Sequence, residues 1–144
     1  MQTGTPGGPR AYLFALTPEG RDALRGPEME IGVFPFRVGR ESRMHESVEK
    51  KAFFAEKRKP TNRPNNDLYL EEDAEFINVS REHFQIVREG AGFALEDRGS
   101  TLGTLVEGLR VGGEKKGGRV ALHDGDVIFV GGSVSPHAYK FRVR

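Results

Sequence analysis

Apolar and polar residues alternate along this chain in short runs, each closed by glycine, proline or asparagine. Ala11 to Leu16 reads as a strand with Tyr12, Phe14 and Leu16 on one side, and Met29, Ile31 and Val33 repeat the period. Pro35 punctuates, and Phe36 to Val38 leads into Gly39-Arg40. Leu68-Tyr69-Leu70 follows the turn residues Asn66-Asp67. From His83 onward, Phe84, Ile86 and Arg88 share one face while His83, Gln85 and Val87 share the other, so apolar residues on both sides predict a covered strand. Gly90-Ala91-Gly92 turns it back into Phe93 to Asp97 as a hairpin. Thr104 to Val106 and Leu109 to Val111 flank Glu107-Gly108, a hairpin turn that favours positive φ at glycine. Arg119 to Leu122 and Val127 to Val130 flank His123-Asp124-Gly125-Asp126, and Tyr139 to Val143 closes the chain. Strands recurring roughly every 8 to 12 residues predict an all-β sandwich or barrel.

Two stretches break the pattern. Residues 1–10 are rich in Gly, Pro and Thr and read as a flexible N-terminal tail. Residues 41–65 form an inserted basic loop, with Arg43, Lys50, Lys51, Lys57, Arg58, Lys59 and Arg63 against Glu41, Glu46, Glu49 and Glu56. Within it Val48, Ala52 and Ala55 fall at helical spacing after Ser47, an acceptable N-cap. That predicts a short helix between about Ser47 and Lys57, ended by Pro60 to Pro64, and no other helix is expected. Thr17-Pro18-Glu19-Gly20 reads as a turn, and Arg21 to Pro27 as a polar connection. A loop as long as 41–65 inside a domain is usually functional or disordered.

Length and composition narrow the class. At 144 residues the chain suits one domain, over 11–144, with 36% hydrophobic and 30% charged residues. Lys and Arg number 22 and Asp and Glu 21, so no global field favours nucleic acid or an anionic membrane as partner. Cysteine is absent, which excludes disulfides and thiolate metal sites and is compatible with a cytoplasmic location. The start lacks the apolar region of a signal peptide, and no stretch approaches the roughly 20 apolar residues of a membrane helix. The stop at Arg144, just after the last strand, suits a module excised from a longer protein.

Few residues invite chemistry. His83 follows Ser80 by three positions, but a nucleophile also needs a third orienting group and an oxyanion site, so the expectation is not an enzyme. Asp124 and Asp126 lack the rest of a calcium loop, and His45, His123 and His137 lack zinc spacing, so no metal is expected. No phosphate-binding glycine loop opens a helix, so no nucleotide cofactor is expected. Lys115-Lys116 reads as a solubilising hairpin tip.

Four stretches in order carry a resemblance: Val38-Gly39-Arg40, Ser80-Arg81-Glu82-His83, Asp97-Arg98-Gly99-Ser100-Thr101-Leu102-Gly103-Thr104, and Asp124-Gly125-Asp126-Val127-Ile128. From about Phe36 to Phe141 the chain resembles the forkhead-associated (FHA) family. The resemblance implies an FHA-type β-sandwich of two twisted, antiparallel-rich sheets with about eleven strands. It implies a signalling module that binds phosphothreonine peptides through loops at one end, with a small apolar niche for the γ-methyl of threonine. Arg40 and Ser80 would bind the phosphate. Arg81 would be a second phosphate partner or a packed surface residue. Ser100, Thr101 and Leu102 would form a second peptide-binding loop, with Gly39, His83, Gly103 and Thr104 bracing the loops. The implied partner is a threonine-phosphorylated protein, a Ser/Thr kinase or its substrate. Leu102 stands where the family usually carries an asparagine that contacts the peptide backbone. Either that contact is lost, or Leu102 meets an apolar ligand residue, or it packs inward. A phospho-independent scaffold, binding through residues 41–65 or a sheet face, is the alternative, and nucleic-acid binding by the basic loop ranks last.

Overall fold

The computed structural model describes residues 2–3, 8–41, 64–72 and 77–144. In chain order the strands and single helix are β1 (Gln2–Thr3), β2 (Ala11–Ala15), α1 (Pro18–Leu24), β3 (Glu28–Ile31), β4 (Val33–Phe34), β5 (Phe36–Arg40), β6 (Leu68–Leu70) and β7 (Phe84–Glu89). They continue as β8 (Gly92–Asp97), β9 (Thr104–Val106), β10 (Leu109–Val111), β11 (Gly118–Leu122), β12 (Val127–Val130) and β13 (Ala138–Val143). A six-stranded sheet in the order β10-β9-β12-β13-β2-β3 packs on a five-stranded sheet in the order β11-β8-β7-β5-β6. Those eleven strands are the expected sandwich, and a ribbon of β1 with β4 stands beside them. The Gln2–Thr3 part of the expected tail therefore carries a strand, paired with Val33 and Phe34.

Alternation places the core. Ile86 and Phe84 of β7, Leu95 of β8 and Val38 of β5 meet Leu13, Ile128, Tyr139 and Phe141 of the other sheet, all fully buried. Burying each side chain of that size contributes about 1.5–3 kcal/mol. On β2 the inward residues are Ala11 and Leu13, while Tyr12 and Phe14 lie on the outer face under the Arg144 guanidinium, 4.8 and 5.4 Å from their ring centroids. Arg88 on β7 covers Phe34 and Phe93 in the same way, at 4.9 and 5.1 Å.

The one described helix is α1, at a stretch read from sequence as a turn. Proline at the second place of a turn is equally at home at the first position of a helix. Here Thr17 caps the helix by accepting from the Gly20 amide at 3.0 Å, and Leu24 is buried against the core. The helix expected near Ser47 to Lys57 lies outside the described residues.

Strand β6 runs parallel to β5, with Val38 beside Leu68 and Arg40 beside Leu70. A parallel neighbour cannot be reached by a tight turn and needs a crossover of roughly a dozen residues or more. The long connection between Arg40 and Leu68 meets that need. Pro64 belongs to the framework, since its carbonyl accepts from Arg37 Nη1 at 3.0 Å. Removing 48–63 and closing with a short Gly-Ser link is expected to leave cooperative thermal unfolding, because loop length costs only about 0.6 kcal/mol per doubling. A broad, non-cooperative melt would contradict this. Among the described residues no helix is long and apolar enough to cross a membrane.

Candidate functional site

Antiparallel neighbours bring distant loops to one end of the sandwich. The end of β5, the start of β7, the end of β8 and the start of β9 all emerge there, as do the end of β10 and the start of β11. Between them opens a cleft of about 770 Å³ lined by Arg40, Ser80, Arg81, Thr101, Leu102 and Lys115, among others. The Ser80 and Thr101 loops, read separately in sequence, are therefore brought together.

Their joint is His83, which is fully buried. The Ser80 amide donates to His83 Nδ1 at 2.9 Å, and His83 Nε2 lies 2.7 Å from the Gly103 carbonyl. An amide only donates and a carbonyl only accepts, so the ring is neutral with its proton on Nε2. Burial, the largest influence, pushes the imidazole below its usual range, against the opposing pull of the Gly103 carbonyl and Asp97. A histidine with both nitrogens engaged by backbone has no lone pair left to act as general base. The same loops are stitched again where Thr101 donates its amide to Ser80 Oγ at 3.0 Å, and where Arg40 donates its amide to the Ser80 carbonyl at 2.9 Å.

Ser100 requires a correction. Expected to line the peptide site, it is fully buried instead. Its hydroxyl donates to Asp97 Oδ2 at 2.6 Å and accepts from the Gly103 amide at 2.9 Å. The single hydroxyl proton is engaged, so none is left for a phosphate oxygen. Asp97, unassigned in the sequence reading, organises this loop. Its carboxylate also accepts from the amides of Gly99 and Ser100, at 3.0 and 2.8 Å, and from Thr104 Oγ1 at 3.0 Å. The Asp-x-x-Ser spacing is the sequence signal that could have found it, as a side chain bonding the amides that follow it.

Gly39 is needed for close approach. A Cβ there would stand 2.0 Å from the Arg81 carbonyl oxygen and 2.7 Å from Asn66 Nδ2. Asn66 is itself buried, donating to that carbonyl at 2.7 Å and accepting from Arg98 Nη1 at 2.7 Å. Arg98 also reaches the Asn65 carbonyl and Glu82 Oε2, so its guanidinium is occupied although it borders the cleft. Glu72 was a second omission, with no signal in its acidic loop. Its carboxylate accepts from the amides of Asn78 and Val79, both at 2.6 Å, and so holds the approach to Ser80. Lys115, read as part of a solubilising tip, reaches the cleft because its amide donates to the Ser100 carbonyl and the Glu114 amide to that of Thr101.

What remains facing the cleft is cationic and underbonded. Arg40 Nε is buried without a hydrogen-bond partner among the described residues. Burial lowers the Arg40 pKa, the neighbouring Arg81 lowers it further, and Glu72 acts the other way. Ser80 accepts from Thr101, which leaves its hydroxyl proton free to donate. Leu102 is 39% exposed and Ile77 is 50% exposed in the same cleft, so Leu102 does not pack inward.

The FHA domain family model matches residues 36–131. No curated protein sequence matches the chain. Among solved structures, EmbR of Mycobacterium tuberculosis in complex with a low-affinity phosphopeptide is similar at 25% identity and a TM-score of 0.55, over 92% of this chain but only 24% of EmbR. The FHA domain of the Chlamydia trachomatis protein CT664 is similar at 18% identity and TM-score 0.56, over 92% of this chain and 96% of that one. The kinase-interacting FHA domain of the kinase-associated protein phosphatase of Arabidopsis is similar at 22% identity and TM-score 0.58, over 94% and 95% of the two chains.

Proposed function

This chain belongs to the FHA family, and from that premise we propose that it binds threonine-phosphorylated segments of a partner protein, a Ser/Thr kinase or its substrate. The observation that carries the reading is Arg40, a partly buried guanidinium whose Nε has no partner, next to a second arginine. Two like charges at the wall of one cleft repel, and an anion between them relieves both. Phosphothreonine brings about −1.5 to −2 charge and three acceptor oxygens. Arg40 supplies a planar fork of donors, Ser80 a hydroxyl, and Arg81 and Lys115 further positive charge. His83, Asp97, Ser100 and Thr104 hold the two loops at the spacing this requires. The site works by recognition.

Titration calorimetry with one peptide carrying threonine, phosphothreonine or phosphoserine, each at two salt concentrations, tests the proposal. Saturable binding of the phosphothreonine form alone, weakening with salt, is expected. Equal binding of the unphosphorylated peptide would replace it with the phospho-independent scaffold, for which the exposed pair Ile77 and Leu102 is the favouring observation. Leu102→Asn separates the two roles of that position. An asparagine amide offers a donor and an acceptor to an extended peptide, at about 0.5–1.5 kcal/mol per bond, so roughly tenfold tighter binding is expected. Since Leu102 is exposed, its melting temperature should hardly change. Weaker binding by this folded variant would make Leu102 an apolar ligand contact.

A further inference from the structure

Arg110 is a cation with no part in the phosphate site. It lies on β10, an edge strand of the six-stranded sheet, opposite Leu105 of β9. From there its side chain runs back over two buried glycines. A Cβ at Gly103 would stand 3.0 Å from Arg110 Nε, and one at Gly113 would stand 2.8 Å from Nε and from Cζ. The guanidinium therefore rests on bare backbone at both places, and a larger residue at either would lift it off. Exposed arginines are often no more than solvated surface, but this one is both seated and unanswered. Among the described residues its side chain makes no hydrogen bond or ion pair. The carboxylates of the adjoining loops are taken. Asp97 accepts from Gly99, Ser100 and Thr104, Glu114 pairs with Lys116 at 3.2 Å, and Glu107 accepts from the Val127 amide.

The seat puts this guanidinium at the rim of the cleft. Gly103 follows Leu102, Gly113 comes shortly before Lys115, and Leu102 and Lys115 both line the cleft. The two loops are joined at that point by the Glu114 amide, which donates to the Thr101 carbonyl at 2.8 Å. A ligand chain that passes Leu102 needs only one or two further residues, at roughly 3.3–3.6 Å each when extended, to come over Arg110. A guanidinium held in place before its ligand arrives loses less freedom on binding, and its planar fork matches a carboxylate.

We propose that Arg110 selects partners with an aspartate or glutamate on one flank of the phosphothreonine, its seated guanidinium pairing with that carboxylate. This rests on the phosphopeptide reading for its ligand, and the test keeps the two apart. Three phosphothreonine peptides, with aspartates on the N-terminal flank, aspartates on the C-terminal flank or alanines on both, are titrated into wild type and into Arg110→Gln. Wild type should bind one aspartate peptide about tenfold more tightly than the alanine peptide, an effect of about 1.4 kcal/mol. The other aspartate peptide should gain much less. A fixed guanidinium reaches one side only, whereas the general field of Arg40, Arg81 and Lys115 reads both. Arg110→Gln should bind the two aspartate peptides alike. Arg110 Nε of wild type, followed by nitrogen-15 NMR, should shift with the preferred peptide and stay still with the alanine one. Equal affinities for the two aspartate peptides in wild type, a flank preference kept by the variant, or an unmoved Arg110 Nε at saturation each overturn the proposal while leaving phosphate recognition standing. Should no peptide bind, phosphate recognition fails, and the unphosphorylated aspartate peptides then decide for Arg110 alone. A shift of its Nε with one of them supports the proposal, and no shift overturns it.

Discussion

Arg40→Ala should weaken phosphothreonine-peptide binding at least tenfold and leave the fold intact. Each charge-assisted hydrogen bond to a phosphate contributes roughly 1.5–3 kcal/mol, and a guanidinium can make two at once. Losing even one exceeds the 1.4 kcal/mol that separates tenfold steps in affinity. The fold should tolerate the change because, among the described residues, the Arg40 side chain makes no hydrogen bond or ion pair. Its Nε is unbonded, and the groove around it penalises its charge through burial and through Arg81. Removing it relieves both, so the melting temperature should stay the same or rise slightly. Arg40→Lys is the informative companion, since it keeps the charge but loses the planar fork, and should fall between the two. Calorimetry paired with a thermal melt reads all three proteins. Undiminished affinity of folded Arg40→Ala would take Arg40 out of the site.

His83→Ala should act in the opposite way, through stability. The change orphans the Ser80 amide and the Gly103 carbonyl, each at about 1–3 kcal/mol, and opens a cavity in a fully buried place. A chain of this size loses roughly 2–4 °C per kcal/mol, so a drop of several degrees is expected. Binding should fall too, because the two loops lose their joint. The pH dependence identifies the cause. Burial depresses the folded His83 pKa below 6.5, so the unfolded chain takes up the proton first. Stability from this residue is complete above its unfolded pKa and is lost as pH falls through the window between 6.5 and the lower folded value. The wild type should lose melting temperature across that window, and His83→Ala should lose less. An unchanged melting temperature with abolished binding would instead make His83 a ligand contact.

The legible parts of this molecule were those where one residue decides one local geometry. Glu107-Gly108 gave its hairpin because both positions take positive φ, 50° and 80°. The strand from Phe84 was visible because its apolar residues alternate, and it proved to be central in its sheet. Arg40, Ser80 and Thr101 were readable through their motifs and do meet at one cleft. Less legible was anything that depends on what lies opposite. The alternation of β2 named two faces but not which one turns inward, and Ala11 with Leu13 won over the larger Tyr12 and Phe14. Ser100 looked like a ligand residue because a serine in a loop serves equally well as donor to a ligand or to its own turn. Only the buried Asp97 beside it decides. Thr17-Pro18-Glu19-Gly20 fits a turn and a capped helix equally, and the burial of Leu24 selects the helix. Lys115 entered the site through backbone pairing with the Ser100 loop, and Glu72 through a carboxylate that reaches the Asn78 and Val79 amides, and no local pattern encodes either.

Phosphate held at the loop end of the sandwich by the Arg40 and Ser80 pair would leave a signature on both residues. A nitrogen-15 NMR titration with a phosphothreonine peptide, observing backbone amides and arginine Nε groups together, tests it most directly. Arg40 Nε, without a partner among the described residues of the free protein, should shift strongly downfield, with the amides of Ser80, Arg81 and Thr101 moving along the same isotherm. Saturating binding in which Arg40 Nε and those amides stay still, while the perturbed residues fall on a sheet face, would contradict it.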